Sequence, residues 1–171
     1  MKALIVIDMQ NDFIDGVLGS AEAIAIVPNV QKKIEEYRSR GDDIIFTRDT
    51  HFVDYSTTLE GKYLPYPHCI VPTHGWKIRD GLCNEATDRV FNKYSFGYNH
   101  WNERFFSDED EIELIGLCTD ICVVSNALIL RATYPDTEIT VDASCCAGTT
   151  PENHKAALQV MKSCQINIKG E

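Results

Sequence analysis

Five short, mostly apolar runs constrain this chain more than any other feature. They are residues 3–7 (Ala3-Leu4-Ile5-Val6-Ile7), 43–47 (around Ile44-Ile45-Phe46), 90–92, 112–115 and 138–141. Each is shorter than a helix, and the first and second are continuous rather than alternating. Such runs suit strands buried on both faces, as in a parallel sheet packed between helices. Helical periodicity fills the intervals. Val30, Ile34 and Tyr37 have helical spacing, with Gly41 as a stop. Pro28 fits the first position of that helix, after an apolar stretch at 21–27 that itself approaches a helix. Val124, Leu128 and Ala132 form a stripe on a second helix running to about Thr133. Thr150-Pro151 reads as an N-cap with proline at the first turn, opening a third helix to about Met161. Residues 143–150 read as a small-residue loop, and 165–168 as a sixth strand. Strands alternating with helices predict a single α/β domain over 1–171, with a parallel sheet covered on both faces.

Ligands of such sheets bind outside the carboxyl ends of the strands. Asp8 ends the first run, Asp49 and His51 the second, and Lys93 the third, and Cys122 follows the fourth. The reactive groups therefore fall on one sheet edge. Cys122 sits where strand turns into helix, and unpartnered N–H groups and the helix dipole ease thiol ionisation there. Each residue also has a structural reading: a loop-capping Asp8, a solvated Lys93, a buried inert Cys122. Residues 52–76 show no clean period and hold three of the six prolines, with several aromatics and histidines. An irregular stretch of that length in a small domain points to function. Residues 107–111 read as an acidic, solvated connector.

The formal net charge of -10 argues against nucleic acid or an anionic membrane as partner. No run approaches the roughly 20 apolar residues of a membrane span. Seven cysteines is an odd number, none in a paired CxxC pattern, and Cys118 and Cys122 are four apart rather than three. With no secretory leader in evidence, the expectation is a cytoplasmic protein with reduced thiols. Cys145 and Cys146 receive no role beyond packing.

Several segments carry a family resemblance. Val6-Ile7-Asp8-Met9-Gln10-Asn11-Asp12-Phe13, Thr47-Arg48-Asp49-Thr50-His51, Pro67-His68-Cys69, Asn92-Lys93-Tyr94-Ser95-Phe96 and residues 116–123 occur in this order. The chain resembles the isochorismatase-like cysteine hydrolases, and within them the nicotinamidases. Pro151-Glu152-Asn153-His154 extends the similarity. The resemblance implies a three-layer α/β/α fold around a six-stranded parallel sheet. It implies a catalytic triad of Asp8, Lys93 and Cys122. It also implies an oxyanion hole from the backbone N–H groups of Cys118 and Cys122, with a cis bond between Leu117 and Cys118. Alanine is common at the position of Cys118, where only the backbone N–H is needed.

Asp49, His51 and His68 resemble the metal ligands of nicotinamidases, with Glu60 as a further ligand and His74 a weaker one. Asp49 and His51 are two apart at a strand end and so share a face. Imidazole with carboxylate suits zinc, or iron or manganese; the opposing reading is a hydrogen-bonded pair that holds the loop. The resemblance implies a metal that orients a pyridine ring, and no organic cofactor. Phe13, Trp76, Tyr98 and Trp101 are candidates to wall an apolar slot for the ring. His100 and His154 read as surface or structural. The implied activity is hydrolysis of nicotinamide, a small amide, by a homo-oligomer. The alternatives are hydrolysis of a ureido or carbamoyl compound, isochorismate cleavage, or a binding module that kept the fold.

Overall fold

The computed structural model describes residues 2–102, 105–106 and 110–171. Six strands form one all-parallel sheet. They are β1 (Lys2–Ile7), β2 (Asp43–Asp49), β3 (Arg89–Lys93), β4 (Glu111–Leu117), β5 (Glu138–Ala147) and β6 (Asn167–Lys169), in the spatial order β3-β2-β1-β4-β5-β6. The helices are α1 (Asn11–Ile14), α2 (Ala21–Arg40), α3 (Leu59–Tyr63), α4 (Val124–Thr133) and α5 (Pro151–Ser163). The chain builds outward from β1 to β3, then returns to lay β4 on the other side of β1. The switch in strand order therefore lies between β1 and β4, where open α/β sheets form their ligand crevice.

The continuous apolar run of β1 serves two cores. Ala3, Ile5 and Ile7 join a cluster with Leu130 of α4 and Leu158 and Met161 of α5. Leu4 and Val6 join another with Ile26, Val30 and Ile34 of α2. Alternate side chains leave a strand on opposite faces, so only a doubly covered strand can be apolar throughout. Ile7 pairs with Gly116. Gly116 has a φ of 119°, and a Cβ there would lie 2.1 Å from the Ile7 carbonyl oxygen. Glycine is required where β1 and β4 meet beneath the crevice.

Several sequence expectations shift. α2 begins at Ala21, capped by the Ser20 side chain, and ends at left-handed Gly41. Pro28 lies inside it rather than at its start. Its ring is on the exposed face, where water can satisfy the Ile24 carbonyl that loses its donor. β5 is ten residues long, so most of the expected loop after Val141 is strand. Between the pairs Leu114–Val141 and Gly116–Cys146, β5 spends five steps against two on β4. The bulge is closed locally by Asp142 Oδ1, which accepts from the backbone N–H and the hydroxyl of Ser144. Thr150 caps α5 with Pro151 in its first turn, as expected.

Within the aromatic stretch after β2, a 3₁₀ turn (Tyr55–Thr57) and α3 give local order, and His51 forms a parallel bridge with Ile70. Residues 107–109 of the expected acidic connector lie outside the described residues. Asp110 is buried rather than solvated, and Glu111 pairs with Lys2 at 2.7 Å. No helix among the described residues is long and apolar enough to cross a membrane.

Candidate active site

The carboxyl ends of β1, β3 and β4 bring Asp8, Lys93 and Cys122 together. Asp8 takes a left-handed backbone conformation, φ 48°, as the chain leaves β1. The Thr47 hydroxyl accepts from the Asp8 N–H at 3.3 Å and donates to Asp8 Oδ1 at 2.7 Å. The other oxygen, Oδ2, lies 2.6 Å from Lys93 Nζ. Lys93 Nζ also lies 3.1 Å from Asp49 Oδ1, 3.1 Å from the Ser95 carbonyl and 3.4 Å from Cys122 Sγ. All four side chains are buried.

Cys122 does not open the helix. The helical path begins three residues earlier, in a single wide turn (Thr119–Val123) whose Val123 N–H donates to the Cys118 carbonyl, and continues as α4. The Leu117–Cys118 peptide bond is cis. The expected ease of thiol ionisation is also revised. Burial pushes the Cys122 thiol well above its ordinary range, and Asp8 and Asp49 add to this against the opposing pull of Lys93. Burial likewise raises Asp8, with Lys93 opposing. Lys93 stays cationic: burial disfavours its charge, but Asp8, Cys122 and Asp49 outweigh burial. Burial thus works against ionisation of the Cys122 thiol, and the Lys93 ammonium works for it.

Asp49, His51, Glu60 and His68 converge next to this cluster, with one donor atom of each within 4.8 Å of all the others. His51 Nε2 is 2.9 Å from Asp49 Oδ2 and 3.6 Å from Glu60 Oε1, and His68 Nε2 is 3.6 Å from each of those oxygens. Four ligands about 2.1 Å from an ion at tetrahedral corners stand about 3.4 Å apart. Two imidazoles and two carboxylates at these separations fit a divalent transition metal. His68 Nδ1 lies 2.8 Å from the Tyr66 carbonyl, which fixes that nitrogen as the donor and leaves Nε2 free to ligate. His74 is not in the group.

A cavity of about 290 Å³ joins the two clusters. Cys122, Cys118, Asp49, Glu60 and His68 line it, with Phe13, Leu64, Phe96, Leu117 and Ile121 as apolar walls. Phe13 is placed where the sequence put it. Trp76 and Tyr98 lie elsewhere. Trp76 stacks under the Arg48 guanidinium at 3.7 Å and donates to the Thr50 hydroxyl. Tyr98 stacks on Phe91, and Trp101 is buried beside both. Their aromatic character reflects packing around β3. Phe96 was missed as a wall residue, although it stands three positions after Lys93. His100 is exposed, and His154 Nδ1 meets the Thr119 hydroxyl at 2.7 Å, tying α5 to the turn that carries Cys122.

The isochorismatase domain matches residues 2–169 of this chain. The chain belongs to the isochorismatase family. A nicotinamidase/pyrazinamidase of Mycobacterium tuberculosis is 27% identical, with 98% of each chain covered. A probable inactive nicotinamidase of Arabidopsis thaliana is 32% identical over 98% of this chain and 90% of its own. Among solved structures, the pyrazinamidase of Pyrococcus horikoshii in complex with zinc superposes with a TM-score of 0.84 at 27% identity, covering 98% of this chain and 97% of that one. For this member of the isochorismatase family the six-stranded fold and the relationship to nicotinamidases are thus established. The four-donor group together with the zinc-bound neighbour supports a divalent metal.

Proposed function

We propose that this protein is a cysteine amidohydrolase that converts nicotinamide to nicotinate and ammonia. The observation that carries this reading is the sharing of one cavity by Cys122 and the Asp49, His68 and Glu60 donors, with Lys93 joining the halves. Asp8 takes the Cys122 proton as Sγ attacks the amide carbonyl carbon. Lys93 offsets the charge that develops on sulfur. The backbone N–H groups of Cys118 and Cys122 hold the oxyanion, each donor being worth roughly 2.7–4 kcal/mol in the transition state. Asp8 passes its proton to nitrogen as the C–N bond breaks, ammonia leaves and a thioester remains. Water, deprotonated by Asp8, then attacks the thioester, and Cys122 recovers its proton as nicotinate departs. Asp49, His51, Glu60 and His68 would hold a divalent ion, zinc by the precedent of the Pyrococcus enzyme, whose contribution is a Lewis-acidic contact for the ring nitrogen. Phe13 and Phe96 wall the ring.

The lining also speaks against isochorismate. That substrate carries two carboxylates, whereas the lining offers Asp49 and Glu60 and no arginine or lysine. A cytoplasmic role in NAD salvage is consistent with the seven free thiols. Assembly as a homo-oligomer is supported by seven of the ten large apolar side chains exposed among the described residues, which lie between Phe52 and Phe96.

The test is ammonia release from nicotinamide by zinc-loaded protein, by chelator-treated protein and by Cys122→Ala. Release that is lost in both controls supports the reading. No release from the zinc-loaded protein sinks the substrate assignment and directs attention to ureido and carbamoyl compounds, whose hydrolysis would survive chelation.

A further inference from the structure

Gln10, Asn11 and Asp12 follow Asp8 closely, and none of the three lines the cavity. Their side chains turn instead toward the segment that carries the four-donor group. Gln10 is fully buried, and its amide makes three hydrogen bonds. Oε1 accepts from the Asp49 N–H at 2.7 Å, and Nε2 donates to the Asp49 carbonyl at 2.8 Å and to the Trp76 carbonyl at 2.8 Å. One side chain thereby grips both sides of the Asp49 residue, as a neighbouring strand would. Asn11 Nδ2 donates to the His74 carbonyl at 3.0 Å. Asp12 Oδ2 accepts from the Cys69 N–H at 2.7 Å, and the Asp12 N–H reaches the Gly75 carbonyl at 3.0 Å.

Cys69 is the residue after His68, and its carbonyl in turn accepts from the His51 N–H at 3.0 Å. One residue thus links Asp12 to both histidines. The fit leaves no slack: a Cβ at Gly75 would stand 2.1 Å from Asp12 Oδ2. Gly75 is what lets the carboxylate approach.

We propose that Gln10 and Asp12 are positioning residues for the four-donor group, tying Asp49, His51 and His68 to the segment that carries Asp8. The inference rests on reading Asp49, His51, Glu60 and His68 as metal ligands. Its consequence is that the placement of the general base and the placement of the metal are set by one five-residue segment. Partners of this kind that orient metal ligands typically govern affinity by about 10- to 100-fold.

The experiment is zinc affinity of purified, metal-stripped protein, measured by competition with a chromogenic chelator. The cobalt-substituted absorption spectrum serves as a second readout of ligand geometry. Gln10→Glu keeps the acceptor for the Asp49 N–H but turns a donor toward two carbonyls into an acceptor. Asp12→Ala removes the acceptor for Cys69, and Asp12→Asn restores an oxygen there. Gln10→Glu and Asp12→Ala are expected to lose about 10- to 100-fold in zinc affinity and to change the cobalt spectrum, while circular dichroism of the metal-free protein is unchanged. Asp12→Asn is expected to recover most of that loss. Should Gln10→Glu fail to fold, Gln10→Met keeps the volume and removes all three bonds. Wild-type zinc affinity in these variants overturns the inference alone. A wild-type protein that takes up no zinc overturns the ligand reading, and the inference with it.

Discussion

Lys93 and Asp49 are paired at 3.1 Å in the interior, and this pair joins the two halves of the site. Asp49 gives Oδ1 to the ammonium and turns Oδ2 toward His51 at 2.9 Å. Lys93 in turn reaches Asp8 and Cys122. Neither half can be displaced without disturbing the other.

Replacing Lys93 by methionine keeps the stem and deletes the cation. Asp8 and Asp49 would then face each other in the interior without compensation. Breaking a buried pair in this way costs about 3–5 kcal/mol. Ammonia release should fall by at least about 10³-fold, in the range for loss of a positioned proton-transfer system. Urea denaturation of the metal-free variant checks the first figure and a steady-state assay the second. A variant as stable and as active as wild type would exclude the arrangement.

How much of this was legible in the sequence differs by residue, and the reason is physical. The sheet was readable because strands covered on both faces must be apolar throughout, as β1 is. The positions of Asp8, Asp49, Lys93 and Cys122 followed from strand ends alone. Trp76 and Tyr98 misled because composition does not say whether an aromatic ring faces a cavity or a neighbour. Arg48 claims one and Phe91 the other. The acidity of Cys122 was misjudged because burial depth is a tertiary property, and here burial opposes Lys93. Pro28 reads as a helix start, yet an exposed helix face tolerates it. Asn126 gave one faint signal, a polar residue four positions after Cys122 and hence on the same helix face.

Asn126 is fully buried and completely bonded. Its Oδ1 accepts from the Tyr98 N–H at 2.9 Å and from Trp101 Nε1 at 3.0 Å. Its Nδ2 donates to the Cys122 carbonyl at 2.8 Å and the Phe96 carbonyl at 3.3 Å. It therefore fastens the turn that carries Cys122 to the loop that supplies a cavity wall. Asn126→Leu keeps the approximate volume and leaves four polar groups without their partner. With about 1–3 kcal/mol for each group that stays unsatisfied, a loss of about 2–4 kcal/mol is expected after partial relaxation. It is read from the shift in the urea midpoint. A raised KM for nicotinamide should accompany it as Phe96 loses its anchor. Unchanged stability would mean that water or a rearranged loop replaces the amide.

The remaining expectation concerns acid stability, at the ion pairs between α2 and the sheet. Lys33 of α2 lies 2.9 Å from Asp142 and 3.1 Å from Glu113. Burial pushes Asp142 upward, but hydrogen bonds from Ser144 and Lys33 outweigh it and hold the carboxyl below its ordinary value. A carboxyl depressed in the folded state binds its proton first in the unfolded state. Its contribution is therefore complete above the unfolded pKa of about 3.9 and is lost as pH falls through the lower, folded value. Other carboxylates titrate in the same range, so the comparison must be differential. Between pH 6 and pH 2.5, the urea midpoint of wild type should fall more steeply than that of Asp142→Asn, and the two curves should converge at the acid end. Parallel curves would show that Asp142 is not held below its ordinary range by Lys33 and Ser144. A gap that widens toward low pH would reverse the sign of the effect.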